Sequence, residues 1–368
     1  MNINRRKIIS LLASLVCLMN GLSTFAMAEK REMQWTTVQQ TLDCDGGTVE
    51  INAVSDPNIP ETVCEWRTEG KVWTEEELRH IVSIVSPGDE NMQRQSIGID
   101  DGVGLFDDLK DTSASAGVGY LKIEYHVKEE GLEYAANPMW NTGYCSDEPL
   151  KTPVADLTFL SFQSALDQIT PVLSELDCTI GPPANMLAWD VKALQANWDR
   201  WHALYPEIGA RTWTAQEECY QIQFPVYYQG LRLNMQGGIT NRDDLDNVGC
   251  YIAFLINANR LISLNANDFC MVNGKAINQP QKMLTLTEEI ECYRQMEAST
   301  FFTQGQEKTI IKILPEYLVL KDIPSNKATY RLIPAWCFYY QIPLDGGTDA
   351  MELHYDAIHA ITGQAIEY

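Results

Sequence analysis

Apolar and polar residues alternate with a period of two in short blocks along much of this chain. Val49, Ile51 and Ala53 alternate with Glu50 and Asn52, which predicts a half-buried strand closed off by Pro57 and Pro60. Leu121, Ile123, Tyr125 and Val127 alternate with Lys122, Glu124, His126 and Lys128, with a short return strand expected through Tyr134. A third block, Tyr220, Ile222, Phe224, Val226 and Tyr228, runs into a Gln229-Gly230 turn. Cys250–Ile256 and Leu261–Val272 form a hairpin around Asn257-Ala258-Asn259. Three more strands follow at Thr309–Leu320, Ala328–Ile342 and Met351–Ile361, the last returning through Thr362-Gly363 into Gln364–Tyr368.

Helical spacing separates these blocks. Thr74 and Glu77 make a capping box ahead of Leu78, Ile81, Val82 and Val85, and Pro87-Gly88 stops that helix. Ser161 opens a helix with Phe162, Ala165, Leu166 and Ile169 on one face, and Thr170-Pro171 caps a second piece reaching Leu176. Leu187, Val191, Leu194, Trp198, Trp201 and Tyr205 form one stripe that Pro206 ends. A further capped helix carries Thr285, Glu288, Leu286, Ile290 and Tyr293, while residues 89–117 read as a long polar loop.

Strands in hairpin order with helices between groups predict an α+β fold of antiparallel sheets packed with helices. The chain divides into a small α+β domain, residues 29–155, ending near the Pro149–Pro153 stretch, and a second α+β domain, residues 156–368. Helix 161–176 and helix 285–297, each with its strands, read as a diverged duplication.

The first 28 residues have a different character. Arg5, Arg6 and Lys7 precede an apolar run, Ile8–Met19, and a small-residue site at Ala26-Met27-Ala28, the layout of a cleavable signal peptide cut after Ala28. Val16 stands where lipidation at Cys17 would need Gly, Ala or Ser. Cleavage removes three positive charges and takes the net charge from −23 to −26. No later run is long and apolar enough for a membrane span, so a secreted or cell-surface location is expected. An excess of acids on this scale argues against nucleic acid as a partner. Nine of the ten cysteines remain after cleavage, none spaced as a CxxC pair, and mostly buried thiols are expected, with room for one or two disulfides.

The closing segments read Tyr330-Arg331-Leu332-Ile333-Pro334-Ala335-Trp336 and Ile358-His359-Ala360-Ile361-Thr362-Gly363-Gln364-Ala365-Ile366. This pattern resembles PepSY-like domains and the YycH/YycI type of extracellular regulatory protein of Gram-positive bacteria. The strand at Val49–Val54, its prolines and the helix at Thr74 are similar to exported clostridial proteins that carry the same tail. The resemblance implies PepSY-like helix-plus-sheet units in the C-terminal part, and no catalytic residues. Leu332 and Trp336 are expected in the core, with Gly363 permitting a tight turn.

Chemistry-bearing motifs are scarce. Neither a phosphate loop nor a GxSxG elbow occurs. His354 and His359 are five apart on a strand and so face opposite sides, which disfavours a shared metal. The acidic turn Asp243, Asp244, Asp246 and Asn247 fails as a calcium loop, because Val248 and Leu255 stand at ligand positions. No catalytic residue, metal or cofactor is expected. Trp189 and Trp213, lying off the helical stripe, are the candidate binding residues. The expected role is non-enzymatic recognition or regulation of another cell-envelope or secreted protein, through a sheet edge or an aromatic groove near those tryptophans. Carbohydrate or cell-wall binding through exposed aromatics is the alternative, and an unrecognised hydrolase the second.

Overall fold

A computed structural model describes residues 35–44, 47–56, 59–85, 92–95, 102–107, 112–125, 132–136, 155–237, 245–299, 307–322, 329–343 and 351–366. The signal segment, Cys145, Asp243 and Asp244 lie outside the described residues. The first region supplies β1 (Thr36–Cys44), β2 (Gly47–Ser55), β3 (Thr62–Val63), β4 (Trp66–Gly70), α1 (Glu75–Val85), β5 (Gln93–Gln95), β6 (Val103–Asp107), β7 (Thr112–Gly117), β8 (Tyr120–Tyr125) and a short α2 (Leu132–Ala135). The middle holds α3 (Phe162–Glu175), β9 (Thr179–Ile180), β10 (Asn185–Trp189), α4 (Val191–Leu204), β11 (Cys219–Tyr228), β12 (Leu231–Leu233), β13 (Leu245–Asn247), β14 (Tyr251–Asn257), β15 (Leu261–Asn267), β16 (Met271–Ala276) and β17 (Gln281–Lys282). The last part holds α5 (Leu286–Ser299), β18 (Glu307–Asp322), β19 (Thr329–Pro343) and β20 (Met351–His359). This is an α+β fold dominated by largely antiparallel sheet.

Two sheets organise these strands. One runs β5-β6-β7-β8-β15-β14-β11-β10, antiparallel at every step. The other is centred on the antiparallel β18–β19 pair. β18 takes β2, β12 and β13 in turn along its outer side, the first two in parallel, and β1 lies beyond β2. β19 takes β4 and then β20 on its other side. The end of β11 leaves the first sheet to pair with β9 and β12, joining the two.

Strands from both predicted domains therefore share both sheets: β8 with β15, and β2 with β18. Residues from Trp35 onward form one compact unit, so the division at 155/156 is not a domain boundary. The Pro149–Pro153 stretch lies outside the described residues, and hydrogen bonding between distant strands ties the two regions together.

Prolines inside strands are normally costly, because they cannot donate to a ladder. Here they sit where the neighbouring strand changes. On one side of Pro315 the partner of β18 switches from β2 to β12, and at Pro334 the partner of β19 switches from β4 to β20. Pro225 lies where β11 passes from β10 to β9. At each handover the missing N–H has no ladder position to fill on that side.

Local signals account for the helices. The Thr74–Glu77 box closes as predicted: the Glu77 carboxylate accepts from the Thr74 N–H at 2.8 Å, and the Thr74 hydroxyl accepts from the Glu77 N–H at 3.2 Å. Thr285 and Glu288 repeat it at α5. α3 runs unbroken through Pro171 instead of dividing at Thr170. The expected long loop at 89–117 contains β5, β6 and β7. Its alternation is hidden by small residues: Thr112, Ala114 and Ala116 are buried, Ser113 and Ser115 less so. The return strand through Tyr134 is the helix α2. The segment Leu261–Val272 is interrupted at Asp268, whose positive φ of 41° separates β15 from β16.

β18 and β19 divide the core. In β19, Tyr330, Leu332, Trp336 and Phe338 face the main core, while Ile333, Ala335, Cys337 and Tyr339 face another cluster that includes Leu314, Leu318 and Tyr355. Gly363, at φ 68°, makes the turn after β20 and lies too close to Cys292 to accept a Cβ. Trp336 is buried and its indole N–H donates to the Leu284 carbonyl at 3.2 Å. Trp336→Ala is expected to cost about 3–5 kcal/mol in urea denaturation, against less than about 0.5 kcal/mol for exposed Thr37→Ala. A loss below about 1 kcal/mol at Trp336 would contradict this core assignment.

Candidate functional site

Trp189 and Trp213 do not form a binding surface. They are 2% and 3% exposed and pack with Leu194, Trp198, Cys219, Leu255 and Ile262 in a second core cluster. Trp213 meets Trp198 edge-to-face at 5.7 Å, and the Arg211 guanidinium lies 4.0 Å over its ring. The correction has a local cause. Asp190 caps α4 by accepting from the Ala193 N–H at 2.7 Å, so Leu187 and Trp189 belong to β10 and the helical stripe begins only at Val191. Being off the stripe therefore said nothing about which way Trp189 points.

Three polar clusters occupy the interior and its margins. On β18, fully buried Glu316 lies 3.0 Å from the Arg232 Nε as an ion pair without good hydrogen-bond alignment. Its other oxygen accepts from the Asn234 amide at 2.8 Å and from the Tyr339 hydroxyl. Burial, reinforced by the Glu316 charge, pushes the Tyr339 phenol and the Cys337 thiol well up from their ordinary values. The Lys312 ammonium sits 4.2 Å over the Tyr339 ring. The surroundings are closed, and the arrangement holds strands together.

A second cluster joins α5 to β18 and β20. The Lys308 ammonium contacts Glu297 at 2.7 Å and also Asp356, which accepts from the Tyr293 hydroxyl at 2.9 Å. Burial opposes the Lys308 charge, but the two carboxylates prevail and raise its pKa. The third cluster lies where β4 leads into α1. Lys71 bridges Asp177 at 2.7 Å and Glu77 at 3.0 Å, with its ammonium 4.3 Å over Trp73. An open groove of about 540 Å³ beside it is lined by Glu76, Glu77, Arg79 and His80.

The described thiols are largely shielded from solvent. Six of the eight described cysteines are buried, and Cys178 and Cys292 are half-buried. Burial pushes Cys270 up to about 11 and Cys178 higher still, which leaves little thiolate at neutral pH. His354 stacks with Tyr340 at 6.0 Å, whereas His359 approaches Glu65 at 3.4 Å and accepts from the Ile361 N–H at 3.2 Å. The two imidazoles thus serve different neighbours. Among the described residues, no three His, Cys, Asp or Glu side chains are grouped to hold a metal ion. No helix there is long and apolar enough to cross a membrane.

β1 presents a sheet edge. This nine-residue strand pairs with β2 along its whole length without a bulge, from Thr36↔Ser55 to Cys44↔Gly47. Among the described residues β2 is the one strand whose pairing with it is recorded. In an antiparallel pair, alternate residues turn their N–H and C=O groups away from the partner. β1 contains no Lys, Arg or Pro, the residues that commonly blunt such an edge. Its inward side is anchored by buried Leu42 and Cys44, and α5 packs against it. Sequence reading missed β1 because its pattern is mostly Thr and Gln. The available signal was Asp45-Gly46 between β-branched Thr36–Val38 and Val49–Val54, a hairpin turn preference.

No protein-family model and no curated protein matches this chain. A crystal structure described as an uncharacterized protein from Eubacterium rectale ATCC 33656 is similar in fold, with a TM-score of 0.60. The likeness covers 87% of this chain and 91% of that one at 12% identity. It supports the architecture and carries no activity.

One buried acid makes a measurable prediction. Glu289 on α5 is 0% exposed, and neither carboxyl oxygen has a hydrogen-bond partner. Burial, with the neighbouring Glu288 charge adding, pushes it up to about 8. Between the ordinary value of 4.5 and about 8 the unfolded chain releases a proton that the folded chain keeps. Stability attributable to this group is therefore full below pH 4.5 and is lost as pH rises toward 8. Glu289→Met is expected to gain about 1–4 kcal/mol at alkaline pH and little in acid. Wild-type and variant curves that stay parallel in urea titrations from acid to alkaline pH would disprove this.

Proposed function

We propose that this chain is an exported, non-catalytic protein that binds and regulates another cell-envelope or secreted protein, accepting an extended segment of it along β1. The observation that carries the reading is the unbulged, nine-residue edge of β1, for which β2 is the one recorded strand partner among the described residues. Strand addition uses main-chain hydrogen bonds for affinity and side-chain alternation for selectivity. The acidic balance of the chain, net −23, favours a basic segment. Burial of Trp189 and Trp213 removes the aromatic groove as the contact and weakens the case for sugar stacking.

The likeness of the tail to PepSY-like and YycH/YycI-type proteins points to the same kind of role. The duplication is proposed on two arrangements of like kind: α3 against β14, and α5 against β20. The signal peptide, cut after Ala28, places the protein at the cell surface or outside it.

Adjacent positions in β1 alternate between donating to β2 and pointing outward. Of Gln39→Pro and Gln40→Pro, one therefore removes a ladder bond and the other only an outward donor. The outward variant is expected to keep the wild-type Tm within a few degrees and to lose, more than tenfold, binding to basic ten-residue peptides displayed on an array. Binding should also weaken at high salt. Equal retention of these peptides by the outward variant and the wild type would refute the β1 assignment.

A further inference from the structure

We infer that Cys178 and Cys270 form a redox pair, able to close a reversible disulfide between the segment leaving α3 and the turn between β15 and β16. This goes beyond the binding role proposed above and does not depend on it. The Cys270 Sγ lies 3.2 Å from the carbonyl oxygen of Asp177, the residue directly before Cys178. A carbonyl oxygen and the next Cα are about 2.8 Å apart across a trans peptide, which puts that sulfur within about 6 Å of the Cys178 Cα. A bridge between cysteines whose Cα atoms are separated by roughly 4.4–6.8 Å needs little backbone movement from there.

Both segments are held in place. The Cys270 carbonyl accepts from the Lys71 N–H at 2.9 Å, and the Cys178 N–H donates to Leu176 at 2.7 Å. The Lys71 side chain ties Asp177 to the start of α1 through Glu77. The Cys270 thiol lies near enough to Cys178 to act on it electrostatically, and the Lys71 charge acts on both. Cys178 is half-buried and Cys270 is buried.

The chemistry requires a small disulfide as oxidant, for example glutathione disulfide. The Cys178 thiolate attacks one of its sulfurs, the S–S bond of the oxidant breaks, and one glutathione thiolate leaves. The Cys270 thiolate then attacks the Cys178 sulfur and releases the second glutathione. Two protein thiols have lost two electrons and two protons, and one oxidant disulfide has become two thiols. Because both groups are held protonated near neutral pH, exchange should be slow there and quicken toward alkaline pH. The bond would close a loop of about 90 residues, long enough for a Tm rise of several degrees.

The test uses the full chain incubated with glutathione disulfide at alkaline pH, alkylated, and mapped by mass spectrometry without reduction. The expected result is one linked peptide pair containing Cys178 and Cys270, with a Tm rise that dithiothreitol reverses. Cys178→Ser and Cys270→Ser should each abolish both effects, and Cys219→Ser should leave them. If a serine variant fails to fold, the wild-type peptide map decides. Alkylation of both residues after unfolding, linkage of either to another cysteine, or a lasting glutathione adduct on Cys178 would each overturn the proposal.

Discussion

The structure depends on one hairpin being buried on both faces. β18 and β19 are paired over most of their length, and each sends alternate residues into different cores. In that setting register is heavily constrained, since a slip of one residue exchanges every side chain between the cores. Glu316 sharpens the constraint. A slip would carry its carboxylate away from Arg232, Asn234 and Tyr339 and into the main apolar core. A buried ion pair of this kind adds little to stability beyond what apolar residues would provide, but losing one partner is expensive. Its effect here is to penalise wrong alignments.

The three prolines in strand interiors belong to the same logic. A central strand flanked by a succession of partners has gaps in its ladder, and a residue without an N–H is tolerated only there. Pro225, Pro315 and Pro334 each occupy such a gap. A large sheet is thereby assembled from short pieces laid end to end along a few long strands. Edges that would otherwise lie open inside the molecule are filled by β9, β12 and β13.

Elements with strong local signals were legible beforehand. β2, β11 and the β14–β15 hairpin show alternation, and α1 and α5 show capping boxes whose hydrogen bonds form as read. β1, β6 and β7 were not, because Thr, Gln, Ser, Ala and Gly blur the contrast on which alternation depends. Trp189 was assigned to a helix because strand and helix periodicities overlap across Leu187–Leu194, with only Asp190 marking the change. A sheet edge was expected as a mode of contact, but the strand proposed for it, β1, lies in a segment with almost no apolar signal. Glu289, the Lys308 cluster and the Cys178–Cys270 approach join residues distant in sequence or depend on burial. Spacing alone holds no trace of them.

The parallel pairing of β2 with β18 has a consequence for how the chain acquires its fold. The strand at residues 47–55 finds its inner neighbour only when residues 307–313 have been made. β4 has β16 on one side and gains β19 on the other only later. During synthesis one side of β2 thus stays unfilled until late, and such non-local closure is slow. Maturation of this sheet from the N-terminus alone is therefore incomplete: ribosome-tethered intermediates would keep that side of β2 open until the final hairpin emerges.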